Sequence, residues 1–188
     1  HILPSAPLDV IIPAGRMMGD VDGDGYFTGA NFYSQDAFFG QQASVDPTSD
    51  EKYLSDINSD NYINQTDITL MLHLLANPYS EPIKDYLGVW GTKYDLGITT
   101  TDWAYYVDIT VTGVKPGMVA TLELEPDVVG QGYLDYIGVV PTVICGENTI
   151  RVYSKLLPIQ AINAKLNVSV GAYRKIIHAG QIIYSDEA

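Results

Sequence analysis

A short polar segment occurs twice in this chain and constrains it more than any other feature. Gly19-Asp20-Val21-Asp22-Gly23-Asp24-Gly25-Tyr26-Phe27 aligns without a gap on Ser55-Asp56-Ile57-Asn58-Ser59-Asp60-Asn61-Tyr62-Ile63, 36 residues further on. In each copy acids or amides stand at alternate positions, and packing several carboxylates into one turn is unfavourable without a counter-charge. Calcium is a hard cation that takes six to eight oxygens, and a 12-residue loop delivers them from positions 1, 3, 5, 7, 9 and 12. The first copy offers Asp20, Asp22, Asp24, the carbonyl of Tyr26, Thr28 and Asn31, with Thr28 acting through water. The second offers Asp56, Asn58, Asp60, the carbonyl of Tyr62, Asn64 and Asp67. Position 6 needs a backbone that tolerates positive φ, which Gly25 supplies freely and Asn61 at modest cost. Position 8 is Phe27 or Ile63, an apolar side chain able to pin each loop to a core.

One Asp-rich turn would be ordinary surface chemistry. Two copies agreeing at positions 1, 3, 5, 7 and 8 predict two bound calcium ions. The first site is expected to be the weaker, because Asn31 has one oxygen to give where an acid has two. After the second copy, Ile68, Met71, Leu72 and Leu75 recur at the spacing of one helix face, and Asn77-Pro78 supplies a stop. After the first, Phe32, Phe38 and Phe39 predict a shorter helix that ends near Gly40. Gln41 to Tyr53 is polar, contains Pro47, and reads as a loop with room for a helical turn.

Charge separates the chain into unlike halves. The net charge is −13 and the pI about 4.3, which excludes nucleic acid and anionic membrane as partners, since both require clustered Lys and Arg. Residues 15 to 80 hold ten acids against Arg16 and Lys52, whereas residues 84 to 188 hold eleven acids against eight bases. No run reaches the roughly 18 to 20 apolar residues of a membrane helix. The start has no signal-peptide pattern. A chain beginning at His1 without Met reads as a processed product, or as one whose start has been removed.

Two further regions flank the repeats. Residues 1–15 carry Pro4, Pro7 and Pro13 among Ile2, Leu3, Leu8, Ile11 and Ile12, which predicts an extended segment lying on a sheet edge or in a groove of a neighbour. From about Tyr86 the period becomes two. Tyr105, Val107, Ile109 and Val111 alternate with polar residues, as do Ala120, Leu122 and Leu124, then Ile150 and Val152, then Ala164, Leu166, Val168 and Val170. Pro116-Gly117 and Gly146-Glu147-Asn148 separate them, so residues 84–188 are predicted to form an antiparallel β-sandwich. The fold class expected is therefore α+β in two domains: an extended segment 1–15, a small helical calcium domain 16–80, and the sandwich.

Catalytic residues are not expected. Glu123 and Glu125 share the polar face of a strand and read as solvated surface. Cys145 lies in the run Val143-Ile144-Cys145 and reads as a small buried hydrophobe; as a nucleophile it would need a base, and no motif places His73 or His178 beside it. There is no G-x-S-x-G, phosphate loop or zinc-binding His pair. Trp90, Trp103 and the tyrosines are candidate stacking platforms for sugars, with burial in the core the better default.

The duplicated loops resemble the calcium-loop-plus-helix repeats of type I dockerins, over residues 18–78. That resemblance implies an EF-hand-like domain lacking the first helix of each pair, in a non-catalytic module that docks onto a cohesin of a cellulosome scaffold. It places the partner-reading residues at Gly29-Ala30 and Gln65-Thr66, and at Asp36-Ala37 and Leu72-His73 on the helices, where only Thr66 matches the usual hydroxylated pair. The β region carries Asp102-Trp103, Tyr106 to Val114, Thr149 to Tyr153, Pro158 and a closing strand from Leu166 to Val170. It resembles small β modules at the ends of phage tail and fibre proteins. Together the resemblances imply a calcium-binding structural protein, extracellular or part of a virion, assembling with protein partners as a homo-oligomer; the alternative is a dockerin docked on a cohesin, with the β domain as an accessory module that binds carbohydrate.

Overall fold

The structure, a computed structural model, describes residues 6–43, 50–77, 82–99, 101–169, 176–178 and 181–183. The sequence features at His1 to Pro4, Pro47, Pro78 and Val170 lie outside them. The chain is a mixed α and β chain. Strand β1 spans Leu8–Ile12, followed by helices α1 (Gly29–Asp36), α2 (Asp50–Ser55) and α3 (Gln65–Ala76). Then come β2 (Gly91–Thr92), β3 (Tyr105–Thr110), β4 (Val119–Leu124), α4 (Gln131–Ile137), β5 (Thr142–Gly146), β6 (Thr149–Ser154) and β7 (Ile162–Ser169). A separate two-stranded sheet pairs β8 (Ile176–His178) with β9 (Gln181–Ile183).

The first seven strands form one curled antiparallel sheet in the order β1-β7-β4-β5-β6-β3-β2. Of the residues predicted to alternate inward, Tyr105, Val107, Val111, Ala120, Leu122, Ile150, Val152, Ala164 and Leu166 are buried, whereas Ile109, Leu124 and Val168 are half-buried. The expected sandwich had two separate sheets, whereas these strands belong to one continuous hydrogen-bonded order. A period of two says that one face is covered without saying by what. α4 was not foreseen. Its sequence includes Gly132, a poor helix former, and it is bounded by Gly130 and by Gly138 in the left-handed conformation (φ 62°). It buries Tyr133, Leu134 and Ile137.

By contacts the chain divides into two compact units, residues 1–13, 106–153 and 161–188, and residues 14–105 with 154–160. These boundaries differ from the sequence-based ones at both ends. β1 pairs with β7 in register from Leu8↔Leu166 to Ile12↔Ile162, so Leu8 to Ile12 belong with the sheet. Residues 82–105 belong with the loops. Asp85 is the reason on that side: it is 1% exposed, and its carboxylate accepts from the N–H groups of Arg16, Leu87, Val89 and Trp90 at 2.7–3.0 Å. Tyr105 adds a hydroxyl exchanged with both backbone groups of Ile83.

Within this second unit Val21, Ile57, Met71 and Leu74 form a core, against which Phe27, Phe32, Leu70, Leu75 and Ile83 pack. Val21 and Ile57 occupy position 2 of the two loops. Each loop thus turns one apolar side chain into the core.

Candidate metal centres

The two loops repeat in hydrogen bonding as they do in sequence. The N–H of position 6 donates to Oδ2 of position 1, Gly25 to Asp20 at 3.1 Å and Asn61 to Asp56 at 2.8 Å. The N–H of position 7 donates to Oδ1 of position 5, Tyr26 to Asp24 at 2.8 Å and Tyr62 to Asp60 at 2.9 Å. The N–H of position 5 donates to Oδ1 of position 3, Asp24 to Asp22 at 3.4 Å and Asp60 to Asn58 at 3.2 Å. The N–H of position 3 reaches across the loop to Oδ1 of position 12, Asp22 to Asn31 at 3.4 Å and Asn58 to Asp67 at 3.3 Å. Gly25 (φ 83°) and Asn61 (φ 75°) take the left-handed conformation that their places in the loop require.

This folding gathers oxygens. One oxygen from each of Asp20, Asp22 and Asp24 lies within 4.8 Å of the others, and the same holds for Asp56, Asp60 and Asp67. That spacing is within reach of a shared cation, being at most about twice the 2.3–2.6 Å of a calcium–oxygen bond. Burial pushes the Asp20 carboxyl up to about 7, against the opposing pull of the Arg16 charge and the Gly25 N–H. Burial also raises Asp22, helped by the charge of Asp24, and Asp56, helped by Asp67 and Asp60. Asp20 is 2% exposed and its Oδ1 is buried without a hydrogen-bond partner. A buried carboxylate oxygen in that state is costly unless a cation or a proton meets it. The donor set, all oxygen and mostly anionic, fits calcium.

Position 9 has a structural task in both loops. Thr28 and Asn64 are the N-caps of α1 and α3: Thr28 Oγ1 accepts from the Ala30 N–H at 3.3 Å, and Asn64 Oδ1 from the Thr66 N–H at 2.9 Å. Position 12 falls three residues later, where a side chain can reach back to the cap. In the second loop Asp67 Oδ2 accepts from the Asn64 N–H at 3.0 Å, completing a capping box. In the first, Asn31 turns its amide Nδ2 to the Tyr26 carbonyl at 2.7 Å, so one candidate ligand is engaged by another. Tyr62 has no such amide facing it from position 12.

The remaining sequence candidates fall outside any cluster. Glu123 is exposed opposite Lys165, Glu125 lies 4.0 Å from Lys165, and Lys165 also pairs with Asp9. Cys145 is a buried free thiol, raised above its usual range by burial. Trp90 is buried, and Trp103 partly so. Sequence reasoning missed Arg16 and Asp85; the turn-forming pattern Asp85 to Gly88 was the available signal for the latter. No helix among the described residues is long and apolar enough to cross a membrane. Comparison with protein-family models finds no match, and comparisons with curated proteins and with solved structures find none either.

Proposed function

We propose that the chain is a non-catalytic calcium-binding structural protein that mediates attachment between proteins, of the virion tail or fibre type, with two calcium ions held in the loops 20–31 and 56–67. The observation that carries this reading is the recurrence of the same four backbone-to-side-chain hydrogen bonds in both loops, around carboxylates that converge within 4.8 Å. Asp20, Asp22, Asp24, Asn31 and the Tyr26 carbonyl would hold one ion. Asp56, Asn58, Asp60, Asp67 and the Tyr62 carbonyl would hold the other. Bound metal would neutralise the loops and so lock Val21 and Ile57 into the core beneath them. Its role is structural, and the partner is a protein, another copy of the chain included.

Thermal melting of the full chain in chelator and in calcium tests this. A ligand that binds only the folded state stabilises it by about 2.7 kcal/mol at a hundredfold excess over Kd. A melting point rising by several degrees supports the reading, and identical melting in both solutions refutes a structural role for the metal.

One observation favours the alternative, docking onto a cohesin. Gly29, Ala30, Asp36, Ala37, Gln65, Thr66, Leu72 and His73, the positions at which dockerins read their partner, are all exposed. Capture by a panel of purified cohesins, lost in chelator, would favour docking over the fibre-type assembly.

A further inference from the structure

A base stands four residues before the first acid of each loop, Arg16 before Asp20 and Lys52 before Asp56. The two have different destinations. Arg16 Nε lies 3.8 Å from Asp20 Oδ2. Its guanidinium also covers position 4, where a Cβ placed on Gly23 would come within 2.5 Å of Nη2. Lys52 instead stands over the ring of Phe38, its Nζ 5.7 Å from the centroid. Position 4 of the second loop is Ser59, which holds the same left-handed conformation (φ 60°) with a side chain present. Gly23 takes that conformation (φ 74°) without strain, and the flexible end of Arg16 fills the space beside it.

We infer that Arg16 is a resident counter-ion of the first loop, holding that loop folded without metal and lowering its affinity for calcium, while the second loop depends on the metal itself. The inference rests on the calcium reading of the loops. A guanidinium keeps its charge at every accessible pH. It stands beside the buried Asp20, whose Oδ1 is still without a partner, so a divalent cation could enter only against a fixed positive charge a few ångströms away. The Arg16 backbone is anchored independently of its side chain: its N–H donates to Asp85 Oδ1 at 2.7 Å and its carbonyl accepts from the Tyr86 N–H at 2.6 Å. Replacing the side chain should leave the fold in place.

The test is calcium titration by calorimetry of the full chain as Arg16→Gln and Arg16→Lys, with Asp56→Asn and Asp60→Asn added to silence the second loop. Arg16→Gln is expected to bind calcium at the first loop roughly three- to tenfold tighter than the Arg16 chain, the gain expected from removing a nearby unit charge at intermediate dielectric. Arg16→Lys, which keeps the charge, should stay near the Arg16 value. In chelator Arg16→Gln should melt below the unaltered chain. If the silenced chains do not fold, the same comparison is made with both loops intact and the isotherm resolved into two sites. Unchanged or weaker affinity in Arg16→Gln, in a chain whose first loop still takes an ion, overturns the role of Arg16 and leaves the calcium reading standing. If the unaltered chain takes no calcium, both fall.

Discussion

Asn31 and Asp67 hold equivalent places in the two loops and differ in one atom, an amide nitrogen where the other has a second carboxylate oxygen. That nitrogen donates to the Tyr26 carbonyl at 2.7 Å, a bond that, on the proposed calcium reading, helps the metal-free loop and obstructs the ion. Asn31→Asp should therefore have opposite effects in the two conditions. Without the amide donor the metal-free chain should lose about 1 kcal/mol, the usual net worth of one hydrogen bond. Calcium affinity at the first loop should rise on the order of tenfold, about 1.4 kcal/mol. Melting in chelator and titration with calcium measure the two, and a mutation neutral in both would mean that Asn31 faces no ion. Cys145 makes a plainer case. Buried and with its thiol raised, it should resist alkylation in the folded chain at pH 8 and react once the chain is denatured; rapid labelling of the native chain would contradict its place in the sheet. At this scale the convergence of Asp20, Asp22 and Asp24, and of Asp56, Asp60 and Asp67, was legible in their spacing. Leu72 was not: it was expected on the buried helix face, yet it is exposed while Ile68, Met71 and Leu74 are buried. The run from Leu70 to Leu75 is apolar nearly all round, so its spacing fits two faces equally well.

Among the elements, α3 shows how a loop and a helix share residues. Asn64, expected as a calcium ligand, caps the helix, with Asp67 reaching back to it. Asn64→Ala should lower stability by about 1 kcal/mol. A capping role requires that loss in chelator and in calcium alike, whereas a loss confined to calcium would make Asn64 a ligand after all. Paired melting curves decide between them. The helices after both loops were legible from their apolar spacing, and so was a helical turn in the linker, part of which is α2. α4 was not, since a segment with an internal glycine and no side-chain cap forms a helix only through the burial of Tyr133, Leu134 and Ile137. The strands were legible one by one, but their assembly was not. Alternation is a local property, whereas the choice between a sandwich and one curled sheet depends on pairings such as Leu8↔Leu166 that join the two ends of the chain.

For the whole molecule, the order β1-β7-β4 makes the start of the chain an edge of the main sheet. Val10 and Ile12 are buried there, while Ile11, 60% exposed, faces outward. Deleting residues 1–14 should thus cost stability, since each large buried side chain contributes about 1.5 to 3 kcal/mol, and, on the proposed assembly reading, weaken self-association. Sedimentation and melting of the truncated chain separate the two effects, and an unchanged oligomer would exclude this edge as a contact between copies. Calcium binding should survive the deletion, because the loops belong to the other compact unit. The measurement that tests the central claim most directly is calorimetric titration of calcium into the metal-stripped full chain. Two ions per chain are expected, with the tighter one abolished by Asp56→Asn with Asp60→Asn and the weaker one by Asp20→Asn with Asp22→Asn. No binding at millimolar calcium, or binding that both double substitutions leave intact, would contradict the assignment of the loops as calcium sites.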